Sequence, residues 1–154
     1  MNFINNWKFK KWRDEIEKSP YNTDSSLRAY MNLEIHPEDI EIFMNVLNPK
    51  IFYIGERVFF DIDGESEVLI RQAYSKKDTI LRTESERQSD WNSINVGNIF
   101  LNNRDHSSDE TIMNIAKLIK SNWEYYLEKL HPDKIFTVEI YGDDFEPWVT
   151  FYQK

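Results

Sequence analysis

The sequence predicts a mixed α+β fold: one sheet of about five or six strands, crossed by a long helix in the C-terminal half, with shorter helices packed on it. Three observations carry this reading. First, Ile112, Ile115, Ala116, Ile119, Trp123, Tyr126, Leu127 and Leu130 recur at steps of three and four, a single helical face held for about six turns. Second, the period changes to two beyond Pro132. Phe136, Val138 and Ile140 point one way and Thr137, Glu139 and Tyr141 the other; Gly142-Asp143-Asp144 then makes a turn and residues 148–152 return as a β-rich strand. Third, 154 residues with 40% hydrophobic content suffice for one self-contained domain spanning residues 1–154.

Residues 6–18 read as a first helix, packed on the body through Phe9, Trp12 and Ile16 and ended by Ser19-Pro20. Its basic residues precede its acidic ones, the reverse of what the helix dipole favours, so packing must hold it. Lysines interleaved with Trp7, Phe9 and Trp12 are compatible with a nucleic-acid or membrane patch. Asp14, Glu15 and Glu17 follow at once and favour a docked helix with solvated lysines. Leu27, Ala29, Met31, Leu33 and Ile35 alternate and predict a strand over 27–35, although a short helix fits 27–30 almost as well. Pro37 opens a helix with Glu38 and Asp39 in its first turn and Ile40, Phe43, Met44 and Leu47 as its buried face.

Residues 51–54 and 58–62 predict a hairpin through Gly55-Glu56-Arg57, and 67–74 predict a helix. Residues 75–92 are charged and read either as a short helix or as a loop. Residues 93–101 predict a strand in mid-sheet. Ser107 and Glu110 match the S-x-x-E capping box that would start the long helix. Strands over 134–141 and 148–152 complete the sheet.

Charge narrows the function. The formal charge is −8, but the first 18 residues are net positive, so the body is more acidic than the total. An acidic body argues against direct nucleic-acid binding, which needs a basic face. It suits a basic protein partner, and it equally serves solubility. The absence of cysteine removes disulfides and thiolate chemistry. No secretion signal and no membrane-spanning stretch is legible, which predicts a cytoplasmic protein, a monomer or weak homodimer in isolation.

No catalytic, cofactor-binding or metal site is predicted. In the run 61–67, Gly64 sits at a calcium-loop glycine position only if Phe59 and Ile70 take the first and twelfth ligand positions, and neither is a carboxylate. Asp105, His106 and Asp109 lack metal-ligand spacing, and four glycines form no phosphate loop. The candidate site is instead an interaction surface. Asp143, Asp144, Phe145, Glu146 and Trp148 place carboxylates and aromatic rings at a hairpin tip, a composition suited to a protein interface. The other reading is that Phe145 and Trp148 fold back on the core. Asp61, Asp63, Glu65 and Glu67 form a second acidic candidate.

The stretches LNPKIFYIGERVFF, SINVGNIF and SNWEYYLEKLHPDKIFTVEIYGDDFEPWVTFYQ, about the last two-thirds of the chain, resemble in layout and apolar pattern the small acidic immunity proteins of bacterial contact-dependent inhibition and related polymorphic toxin systems. The resemblance implies a non-enzymatic inhibitor that binds one cognate toxin domain, often a basic nuclease, and covers its active site or substrate surface. It assigns no individual contact residues. Two other classes fit the composition: a small enzyme with a carboxylate-based site, and a general acidic adaptor or nucleic-acid mimic.

Overall fold

The described residues of the computed structural model, 6–21, 24–76, 82–100 and 107–154, form α1 (Trp7–Glu17), α2 (Leu27–Glu34), α3 (Pro37–Leu47), β1 (Lys50–Ile54), β2 (Arg57–Asp61), α4 (Ser66–Ser75), α5 (Glu84–Trp91), β3 (Ile94–Asn95), α6 (Val96–Ile99), α7 (Asp109–Leu130), β4 (Phe136–Tyr141) and β5 (Trp148–Gln153). The fold is mixed α+β, as predicted. The chain divides into two units, Met1–Ile42 and Phe43–Lys154, and α3 spans the division.

In the first unit the predicted helix over 6–18 is α1. Asn6 caps it, its side chain accepting from Lys8 N and Phe9 N. The predicted strand over 27–35 is a helix instead. Ser26 Oγ accepts from Ala29 N at 3.2 Å and starts α2, and Tyr30 packs edge-on against Phe9 and Trp12 at 5.5 and 5.3 Å. The apolar alternation does not map onto burial: Ala29 is buried, but Met31 and Leu33 are 53% and 60% exposed.

The second unit corrects the predicted single sheet. Its strands form two sheets, β1-β2 and β3-β5-β4, all pairs antiparallel. Buried amides from α5 and β5 take the place of a backbone ladder between them. Gln88 Nε2 donates to Val58 O at 2.8 Å, while Gln153 Oε1 accepts from Val58 N at 2.7 Å. Asn92 Oδ1 accepts from Phe60 N at 3.1 Å, and Gln153 N donates to Gln88 Oε1 at 2.8 Å. Each group is a buried polar atom that would destabilise the core if left without a hydrogen-bond partner, and the seam is satisfied by side chains. The charged stretch 75–92 thus contains a helix, α5, opened by a reciprocal capping box between Thr83 and Glu86; residues 77–81 lie outside the described residues.

The predicted mid-sheet strand over 93–101 is also corrected. Only Ile94 and Asn95 pair with β5, at the end of the strand order. Asn95 Oδ1 then accepts from Asn98 N at 3.1 Å and turns the chain into α6. Leu101 lies outside the described residues.

Helix α7 packs its predicted face inward: Ile112, Ala116, Ile119, Trp123 and Leu127 are buried, although Leu130 is exposed. Trp123 joins both sheets, with Phe60 and Phe151 ring centroids 5.1 and 6.0 Å away and its Nε1 donating to Val46 O at 2.8 Å. The cap is one residue later than predicted: Ser108 Oγ, not Ser107, accepts from Thr111 N. On α3, Val46 is buried and Phe43 and Leu47 partly so, whereas Ile40 and Met44 are exposed, contrary to the predicted face. Among the described residues, no helix is long and apolar enough to cross a membrane.

Candidate interaction surface

The β4–β5 hairpin builds its tip from a short, demanding turn. Gly142 has φ +88, and a Cβ there would lie 2.5 Å from Glu146 O, so only glycine fits. Asp143 Oδ1 then accepts from Phe145 N at 3.0 Å and Glu146 N at 2.8 Å, an Asx turn that folds the tip back toward β5. Asp143 is therefore partly engaged in holding the turn. Asp144 and Glu146 stay exposed, and Phe145 is 56% exposed. Trp148 behaves differently from Phe145. It is half-buried and stacks on Tyr141 with centroids 6.0 Å apart and planes at 20°, so its ring belongs to the base of the hairpin.

The turn brings Asp144 across from the first two turns of α7. Asp109, Glu110, Met113, Asn114, Lys117 and Asp144 line a groove of about 280 Å³. Three carboxylates from two separate elements thus face one concavity that holds a single lysine. Sequence reasoning missed Asp109 and Glu110 as members of this surface. Acids in a first helical turn have a sufficient local explanation in the helix dipole, which hides any second role.

The acidic run over 61–67 is built the other way. Asp61 ends β2 with 3% exposure, and its Oδ1 accepts from Ser66 N at 3.0 Å. Its Oδ2 is buried without a hydrogen-bond partner, with Lys50 Nζ 3.8 Å away. Asp63 Oδ1 accepts from Glu65 N at 3.0 Å, Ser66 N at 2.8 Å and Ser66 Oγ at 2.7 Å. These bonds, the Ser66 hydroxyl foremost, hold the Asp63 carboxyl below the usual carboxylate range. Glu67 accepts from Lys50 Nζ at 2.7 Å and Arg71 Nε at 2.9 Å; the lysine contact first and the arginine second lower its pKa, and Glu67 in turn raises that of Lys50. Glu65 is exposed like Asp63, but its side chain makes no cap hydrogen bond to α4. The run therefore starts α4 and ties it to β1.

The histidines are dispersed. His36 is exposed immediately before α3, and His131 caps the C-terminus of α7. Burial first, then Lys134, lowers the His131 pKa, and its Nε2 lies 3.4 Å from Tyr53 Oη. Asp105 and His106 lie outside the described residues. Among the described residues, no three His, Asp or Glu side chains group as a metal site. No family model, curated protein or solved structure matches the chain.

Proposed function

We propose that the chain is a cytoplasmic immunity protein that binds a cognate basic toxin domain and neutralises it by covering its active site or substrate surface, without catalysis of its own. The observation that supports this reading is the convergence of Asp144, Asp109 and Glu110 on one groove beside an exposed Phe145. Exposed acids would steer a basic partner into encounter, and a partly exposed aromatic ring at the rim would slow dissociation once docked. The acidic run over 61–67 is a weaker contact candidate, because most of its charge is held by Lys50, Arg71 and backbone N–H groups.

The test is co-expression with the toxic domain encoded beside the gene, followed by binding kinetics at two salt concentrations. Wild-type protein is expected to protect cells. Charge reversal at Asp143, Asp144 and Glu146 should slow association and flatten its salt dependence, and Phe145→Ala should speed dissociation. An unchanged association rate at low salt for the triple reversal excludes the hairpin as the interface. Failure of the wild type to protect against any neighbouring toxin removes the immunity reading.

A further inference from the structure

The three-stranded sheet ends at β4, and the direction of its backbone groups can be traced. Gln153 N and Phe151 O bond to the side chains of Gln88 and Asn92, so on β5 these groups point away from β4. Residues that bond a given neighbour alternate along an antiparallel strand. Tyr152, Thr150 and Trp148 therefore exchange bonds with their register partners Thr137, Glu139 and Tyr141. Lys154 N, donating to Ile135 O at 3.2 Å, continues the same phase. It follows that Phe136, Val138 and Ile140 turn their N–H and C=O groups toward the outer edge. Among the described residues, no element pairs there.

A cleft of about 560 Å³ lies beside this edge, between β4 and the last turns of α7. Leu127, Phe136 and Val138 form its apolar lining, and Glu124 and Glu128 stand on the helix side. Glu124 pairs with Lys120, whereas Glu128 meets no cation among the described residues. The cleft's own lysine, Lys134, donates to Glu56 O at 2.7 Å and is drawn toward the β1–β2 turn. An unpaired edge next to a cleft of mixed apolar and charged lining, His131 included, is the arrangement that strand addition uses: main-chain bonds supply affinity and alternate side chains enter the pocket.

We propose that the outer edge of β4 accepts an extended segment of a basic protein partner as an added strand, with one apolar side chain seated in the cleft and a neighbouring Lys or Arg meeting Glu128. The reading above is needed only for the partner's basic character. Charge decides against a second copy as occupant: each chain carries −8, so two copies repel where a basic segment is attracted.

The experiment uses the full chain and two probes, an alternating lysine–valine heptapeptide and the same peptide N-methylated at every second residue. Amide hydrogen exchange is followed at Phe136, Val138 and Ile140 up to millimolar peptide. The parent peptide is expected to protect these amides and to bind at least about tenfold more tightly than the methylated one, because methylation removes the strand donors and keeps the charge. Equal affinity of the two peptides overturns the proposal in favour of charge attraction alone. Absence of protection with either peptide overturns it outright. Protection that grows with protein concentration, without peptide, assigns the edge to a second copy instead. Reversal at Asp144 and Glu146 should leave the peptide result unchanged, so the hairpin and the edge succeed or fail separately.

Discussion

The hairpin tip and the run over 61–67 have similar compositions and opposite uses of charge. In the run, Asp61 is buried, Asp63 accepts three hydrogen bonds at the start of α4, and Glu67 bridges Lys50 and Arg71. At the tip only Asp143 is engaged by the turn, while Asp144 and Glu146 remain on the surface. The difference teaches that formal charge is not available charge. A carboxylate already surrounded by donors offers little to a partner, because docking would have to break bonds the fold needs.

The largest effect removes the support that both regions share. Trp123 packs against Phe60, which leads into the run, and Phe151, which lies on the strand leaving the tip. Trp123→Ala should lower stability by roughly 3–5 kcal/mol in urea unfolding, and a loss under about 1 kcal/mol would mean the two regions do not rest on one core. Gly142→Ala comes next and strikes the tip alone. Positive φ and the 2.5 Å approach to Glu146 O predict a loss of roughly 1–3 kcal/mol, with the turn amides of Phe145 and Glu146 exchanging faster.

Asp63→Ala strikes the run alone and should destabilise by about 1 kcal/mol near neutral pH, as loss of a helix-start acceptor does. Its pH dependence sharpens the point. The folded pKa is depressed, so the stabilisation is fully present above the unfolded value of about 3.9 and disappears as pH falls through the folded value. The gap between wild type and Asp63→Ala should thus be constant above about pH 5 and close in stronger acid. Glu67→Gln should have a smaller effect still, one that shrinks further in high salt because its partners Lys50 and Arg71 are largely exposed.

The long helix and the last hairpin were legible because periodicity follows directly from side-chain direction: 3.6 residues in α7 and two in β4. The strand expected over 27–35 failed for the same reason in reverse. Its alternation was chance, and the deciding features were a Ser26 cap and the burial of Tyr30 against Phe9 and Trp12. The seam between the sheets had no sequence signal. Gln88 and Asn92 are polar residues four apart on a charged helix, which reads as a solvated face, yet they are 0% and 1% exposed. The tip residues were recognised from composition, but the meeting of Asp144 with Asp109 and Glu110 depends on how β4 follows α7 back along the core. No local pattern records that proximity. Trp148 was expected as a contact ring, and its stacking on Tyr141 could not be separated from exposure at the level of spacing.

One paired measurement tests the contrast most directly: urea unfolding of Asp144→Lys/Glu146→Lys beside Asp61→Ala/Asp63→Ala. The account predicts that the tip pair stays within about 0.5 kcal/mol of wild type, as surface substitutions do. The run pair should lose roughly 2–4 kcal/mol, because a buried charged acceptor and a helix-start acceptor are removed together. Comparable losses in the two variants, or a larger loss at the tip, would contradict the claim that one acidic stretch holds the fold and the other is left for a partner.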